Sequence, residues 1–587
     1  MHKRLLGIVA SAAVIVAACG GATTSTAPAV STAPGASTAP ATTAPSAANL
    51  ADQQILHIDS GREPPTLDPN KAQDSTSIQV LHAVQRGLLY LDKDGKVIPE
   101  LAKDLPVVSA DGKTLTFTLK DGLKYSNGEP IVAGDFVYSI KRTLDPRLAA
   151  PYSYVLTEMA GADALIALAG AKTPPTDAEV KALMDKVGVA APDDKTVVVT
   201  LATPATYFTS VLALWIAVPI QAKWITSPNA TEAANYVGSG PFILDTWKHN
   251  SQIILKPNPN WSGLKPTLSE IDIAMSAEPA QSQASFEAGE IDMVQTPSED
   301  VIRVKADPTL GPMVKDVPVL AITYYTYNNG VDQKTLGTLA RCTSQKACPT
   351  MNKKFRIALT EAIDKKAFIA ATFAGVGQAA NSIVMPGIAG YQKDLDPYPF
   401  SMDKAKADMA TALKEIGVPD AASLGKLKFG FNSGAGHEPR VAFLAEAWRQ
   451  AFGLKTEQIG SEWSTFLTQR TAGLYDIARD GWNADYPHAN NQLGLFVCGG
   501  GNNDIQYCNK DFDALMKHAA AEPDQTKQVD LYQQAQTLLV NDAAMLPLKF
   551  GLTTYEVQPY VGGIVIGAND SQLPGDASFE TIQILKH

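Results

Sequence analysis

Residues 20–48 are almost entirely Ala, Ser, Thr, Pro and Gly, and this stretch decides where a fold is possible. Such a segment buries too little apolar surface to offset its chain entropy, so it reads as a disordered tether over residues 19–49. Whatever packs lies beyond it, from about residue 50 to 587. That length exceeds one simple core and suggests two or three lobes. Ahead of the tether, Lys3 and Arg4 precede an apolar run from Leu5 to Ala18, too short to span a bilayer as a mature helix. It ends in Val16-Ala17-Ala18-Cys19-Gly20, small residues before a cysteine that match the bacterial lipobox. The expectation is a signal peptide over 1–18, a lipidated Cys19 as the new N-terminus, and a body on the outer face of the cytoplasmic membrane. The alternative is an ordinary secretory signal cut elsewhere.

The formal net charge is −11, and it becomes more negative once Lys3 and Arg4 leave with the signal. An acidic body without a basic run excludes nucleic acid and electrostatic docking on anionic lipid. Four cysteines follow Cys19 as two local pairs, Cys342 with Cys348 and Cys498 with Cys508. An oxidising compartment makes local disulfides the default, although sequence leaves the other two connectivities open. Loops this small contribute about 2–3 kcal/mol when unstrained.

Periodicity predicts strands over 55–60, 115–119, 196–201, 269–273 and 290–294. It predicts helices over 77–90, 135–144, 352–373, 438–452 and 526–540, with a helical stretch through Phe286. Residues 63–69, EPPTLDP, read as a rigid turn-rich loop. Residues 209–220 are apolar but short and broken by Pro219, so they read as a buried strand or helix. Strands and helices alternate without a strict βαβ repeat, which predicts a mixed α/β fold. There is no HExxH, no phosphate-cradling glycine loop and no GxSxG elbow, and the eight histidines show no pair at metal spacing. Gly499-Gly500-Gly501 lacks a strand–helix setting and reads as a flexible turn. Enzymatic chemistry and a cofactor are therefore not expected.

Residues 481–486, Gly-Trp-Asn-Ala-Asp-Tyr, follow an apolar-alternating run from Leu474 to Asp480. Asp485 lies between Trp482 and Tyr486, a setting suited to one organic cation: desolvation strengthens charge pairing, and ring faces add cation–π attraction.

Several separated motifs then agree. FTLKDGLKYSNGEPIVAGDFVYSIKR (117–142) resembles the signature segment of the bacterial extracellular solute-binding proteins of the peptide/nickel class, family 5, the capture components of ABC importers. The resemblance extends through EPPTLDP (63–69), VGSGPFIL (237–244), NPNW (258–261) and AGEIDM (288–293). It continues in MNKKFRIALTEAIDKKAFI (351–369), EWSTFLTQRTAGLYDIARDGWNADYP (462–487) and YCNKDFDALM (507–516). Within that class ITYYTYNN (322–329), APYSYVL (150–156) and the terminal VGGIVIG…ILKH are most similar to oligopeptide-binding proteins.

The resemblance implies a three-lobe, hinge-closing, periplasmic-binding-protein-like fold of type II, cluster C. Lobe I would hold 50–75, 219–321 and 554–587, lobe II 76–218 and lobe III 322–553. It implies a non-enzymatic monomer that encloses an oligopeptide and delivers it to ABC permease and ATPase subunits. Asp485 would pair with the peptide α-ammonium. Arg479 and His437 occupy places where related proteins anchor the ligand's carboxylate; an ion pair of Arg479 with Asp476 or Asp480, and an exposed loop histidine, are the plainer alternatives. Glu63, Tyr152, Tyr324, Tyr325, Trp482 and Tyr486 would line the site. The chain departs from the pattern after the anchor, where Pro487-His488-Ala489-Asn490-Asn491 replaces an acidic residue and proline. Other readings keep the architecture and bind an oligosaccharide or metal chelate, or make the protein a cell-surface hydrolase or a peptide sensor. Asp485 argues against a neutral sugar, because an unpaired buried carboxylate is costly.

Overall fold

Two long strands, Val314–Tyr327 and Met545–Val557, pair antiparallel and carry the architecture. Both contain proline, Pro318 and Pro547, which donates no backbone hydrogen bond. Their register shifts between Pro318 and Ile322 and again between Thr323 and Tyr324. Such bulges bend a strand and sharpen its twist. On one side of the irregularity Met545–Val557 pairs with Met293–Gln295. On the other, Val314–Tyr327 pairs with Ile477–Asn483.

The computed structural model describes residues 49–587 except 170–173, 277, 434–435, 501, 568–569 and 571. The signal sequence, Cys19, the tether up to residue 48 and Gly501 therefore lie outside the described residues. Ala48–His587 pack as one compact unit.

From one edge, the large mixed sheet runs Lys455–Ser461, Lys426–Asn432, Ile477–Asn483, Val314–Tyr327 and Met545–Val557. It continues through Met293–Gln295, Ile55–Asp59, Glu270–Ala274, Gln252–Pro257 and Phe242–Lys248. A separate antiparallel sheet holds Val107–Val108, Thr114–Thr118, Thr196–Thr200 and Val189–Asp193. Among the described residues, no helix is long and apolar enough to cross a membrane.

The separated motifs meet in space. Arg142 clamps Asp68 through two bonds of 2.7 Å and also donates to Asn70 at 2.7 Å, joining 63–69 to 117–142. Asp292 accepts the His57 N–H at 2.7 Å and the Tyr560 hydroxyl at 2.8 Å. Asn258 donates to the Gly240 carbonyl at 2.8 Å. Gly240 packs so closely that a Cβ there would fall 2.7 Å from the Gln85 nitrogen, and one on Gly238 would fall 2.3 Å from the Val84 oxygen.

That approach explains one departure from periodicity. The helix expected over 77–90 is Ser75–Val84, because Gln85 is extended. Arg86 N–H donates to Ser239 Oγ at 2.9 Å instead of continuing the helix, and Leu89–Leu91 becomes a strand. The helix expected over 352–373 is two, Lys353–Glu361 and Lys365–Thr372. Asp364 breaks it by accepting the Lys366 and Ala367 N–H groups at 3.0 and 3.1 Å, which starts a new helix. The 438–452 helix is Glu438–Phe452, and the 526–540 helix is Gln525–Asn541. Residues 209–220 are a short helix, Phe208–Val211, and the 3₁₀ turn Trp215–Ala217.

Candidate functional site

The strand Ile477–Asn483 crosses the bend in the sheet and ends at the Asp485 loop. Cross-strand pairing sets Tyr325 opposite Arg479, Thr323 opposite Gly481 and Ala321 opposite Asn483. All six line a cavity of about 300 Å³, which His437, Trp482 and Lys549 also border. The bulged segment supplies Val319, and Gly551 on the neighbouring strand leaves it room, since a Cβ there would fall 2.7 Å from its Cγ2.

Ala484 N–H donates to the Leu320 carbonyl at 2.7 Å and turns the chain just past the cavity. Asp485 Oδ1 accepts the Tyr152 hydroxyl, and Oδ2 accepts Asn491 Nδ2, both at 2.9 Å. Asn491 Oδ1 takes the Trp482 indole N–H at 2.8 Å and the Asp485 N–H at 3.2 Å. One amide thus fixes both Asp485 and its aromatic neighbour. Tyr152 is held edge-on to Trp215 at 5.0 Å, and Tyr486 stacks on Tyr207 at 6.1 Å. Among the described residues no Lys, Arg or His nitrogen lies within 4.0 Å of the Asp485 carboxylate. Burial pushes its pKa up to about 6, against the opposing bonds from Asn491 and Tyr152. Two neutral donors hold this carboxylate, and among the described residues no counter-ion matches its charge.

Arg479 is not paired with either neighbouring acid. Asp480 is taken by Arg470 at 2.6 Å and Asp476 by Arg341 at 2.8 Å. Arg479 Nε donates to Asn432 at 2.7 Å, and its guanidinium lies 5.3 Å from the Trp463 ring. Burial, with Arg470 and Arg440 nearby, lowers its pKa to about 10 although Asp480 favours the charge. His437 is held near 3 by burial, Arg479 and Arg440, so its ring is neutral. Tyr325 is fully buried, with a hydroxyl that has no hydrogen-bond partner among the described residues.

Of the expected site residues, Arg479, His437, Tyr325 and Trp482 line the cavity; Asp485, Tyr486 and Tyr152 sit in the loop and contacts just beyond it, and Tyr324 and Glu63 lie apart. Tyr324 alternates to the opposite face, where it meets Phe496 edge-on at 6.3 Å. Glu63 accepts from His249 Nδ1 at 2.6 Å and from the Asn250 N–H at 2.8 Å, and does not line the cavity. Asn491, Lys549 and Arg440 were not singled out by sequence. Asn491 had one signal, its place in the segment that departs from the family pattern; the cations had none. Cys342 is bonded to Cys348, and Cys498 to Cys508.

Residues 96–504 match the family of bacterial extracellular solute-binding proteins, family 5 (middle region). The chain belongs to this family. Among family 5 relatives, the oligopeptide-binding protein OppA of Bacillus subtilis is 30% identical over 523 residues, covering 87% of this chain and 90% of its own. The murein tripeptide binding protein MppA of Escherichia coli has a structure with a TM-score of 0.77 at 25% identity, covering 92% of this chain and all of that one. The Haemophilus influenzae OppA complex with RPPGFSPFR gives 0.76 at 26% identity with the same coverage. The family 5 fold is thus shared along nearly the whole body: the α/β, three-lobe architecture of periplasmic binding proteins, with mixed sheets.

Proposed function

We propose that this protein captures short peptides by their free N-terminus at Asp485 and delivers them, unaltered, to an ABC importer. The observation that carries the reading is the half-buried Asp485 carboxylate, held by Tyr152 and Asn491 with no cation within 4.0 Å among the described residues. A peptide α-ammonium supplies the missing charge. The peptide then lies extended along the cavity, and its C-terminal carboxylate meets Arg479 and His437. Relatives named for oligopeptide binding support the same ligand class.

Lobe I is proposed as 50–75, 219–321 and 554–587, lobe II as 76–218 and lobe III as 322–553, hinged where Val314–Tyr327 and Met545–Val557 lose register. Ligand favours closure because an empty closed site strands a charge. Titration calorimetry with tri- to pentapeptides tests the reading. The free pool binds and the N-acetylated pool does not; equal binding of both, or of neither, overturns it.

Anchoring through a lipid on Cys19 belongs to the same proposal. Cells expressing Cys19→Ser shift the protein from the membrane to the soluble fraction. Unchanged membrane recovery would refute the anchor while leaving the peptide reading intact.

A further inference from the structure

Three cations gather toward the start of the strand that leads to Asp485: Arg479 and Lys549 line the cavity, and Arg440 shares the Phe373 ring with Lys549. Arg479 precedes Asp485 by six residues, at most about 20 Å of extended chain, the span of a short extended peptide. Among the described residues no carboxylate oxygen lies within 4.0 Å of Arg479, Arg440 or Lys549. Asp480, the acid beside Arg479 in the chain, is held by Arg470. Glu299 and Glu438 favour the Arg440 charge only from beyond contact distance.

The cations form one cluster. Arg440 and Lys549 both sit on the Phe373 ring, 4.2 and 4.6 Å from its centroid. Arg440 lies 3.2 Å from His437 Nδ1, which leaves Nε2–H as the donor of that neutral ring. Lys549 is 7% exposed, borders the cavity, and makes no hydrogen bond to another described residue. Its position is built in: Gly377 has φ +118°, and a Cβ there would fall 2.3 Å from Lys549 Cε. Arg440 Nε and the Tyr325 hydroxyl are buried donors with no partner among the described residues. Burial, with Arg440 nearby, lowers the proton affinity of both Lys549 and Arg479.

Buried donors without acceptors and cations without anions together ask for an acceptor-rich, anionic ligand. Resting on the peptide reading above, one carboxylate, the C-terminus, occupies Arg479 and His437. Lys549, backed by Arg440, remains unmatched. We propose that this part of the cavity selects peptides bearing an acidic side chain beside the C-terminal carboxylate, a dianionic terminus read by Arg479 and Lys549 together.

Calorimetry on the purified chain compares two pools of tri- to pentapeptides, identical except that one ends in Glu and the other in Gln. The Glu pool binds about tenfold tighter or more, since a charge-assisted pair replaces a neutral contact. In Lys549→Met most of that advantage disappears. Equal affinity for the two pools in the unsubstituted protein overturns the inference and leaves the peptide reading standing. A full tenfold preference persisting in Lys549→Met overturns the assignment to Lys549. Failure of both pools to bind overturns the peptide reading and this inference with it.

Discussion

Asp485→Asn weakens peptide binding by at least about 100-fold at pH 7, because the ammonium then meets a neutral amide in a desolvated site. The same change removes a distinctive pH dependence. In the free protein, burial raises the Asp485 pKa to about 6 from its ordinary 3.8. The folded, empty protein therefore holds that proton more tightly than the unfolded chain does. The associated stability is fully present below about pH 4, falls by about 2–3 kcal/mol as pH rises to about 6, and is flat above. Peptide reverses the effect, since an ammonium beside the carboxylate favours ionisation and binding expels the proton. Affinity at pH 5 is accordingly about tenfold lower than at pH 7. Of the histidines nearest the site, His437 and His488 are held near 3 and 4 by burial, and both stay neutral through this range. A peptide α-amino group, with a pKa near about 8, stays protonated. Calorimetry at pH 5, 6 and 7 on the unsubstituted and Asp485→Asn chains checks both statements. A pH dependence surviving in the variant would place the titrating group elsewhere.

Arg470→Leu destabilises the fold by about 3–5 kcal/mol, the typical cost of stranding buried charge. Arg470 is buried between Asp480 and Asp504, at 2.6 Å from each. Thr471 adds a donor to Asp504 at 2.9 Å and the Gly481 N–H one to Asp480 at 2.8 Å, but neither brings the positive charge of the guanidinium. Without it two carboxylates face one another, a repulsion that acid relieves, so the deficit narrows as pH falls. Urea midpoints at pH 7 and pH 5 measure both effects. The triple change Arg470→Leu, Asp480→Asn, Asp504→Asn recovers part of the loss at pH 7; if it does not, the loss arises from packing against Phe466, whose ring lies 5.5 Å from the guanidinium. The pair also bears on the site. With Asp480 committed to Arg470, Arg479 faces the cavity without a neutralising neighbour.

Short-range features were legible in the residues. Glu438–Phe452 is a helix because Val441, Leu444, Ala445 and Trp448 recur on one buried face. Trp482, Asp485 and Tyr486 meet because they are close in sequence. Where local pattern and tertiary contact competed, contact prevailed. The 77–90 periodicity yields at Gln85 to the backbone of 238–240, and the 352–373 face is interrupted by an aspartate that caps more strongly than the pattern propagates.

The sequence by itself determined the mixed α/β class, the family motifs and an aspartate between aromatics. Each is encoded in spacing over a few residues, or in motifs that keep their order along the chain. Only the tertiary structure decided that Tyr152, 333 residues away, closes on Asp485, that Tyr325 rather than Tyr324 faces the cavity, and that Glu63 is engaged by His249. It alone gathered Arg440, Arg479 and Lys549. These depend on strand register and on which distant segments share a sheet, and a one-residue slip, invisible in composition, would turn every one of those strand side chains to the other face.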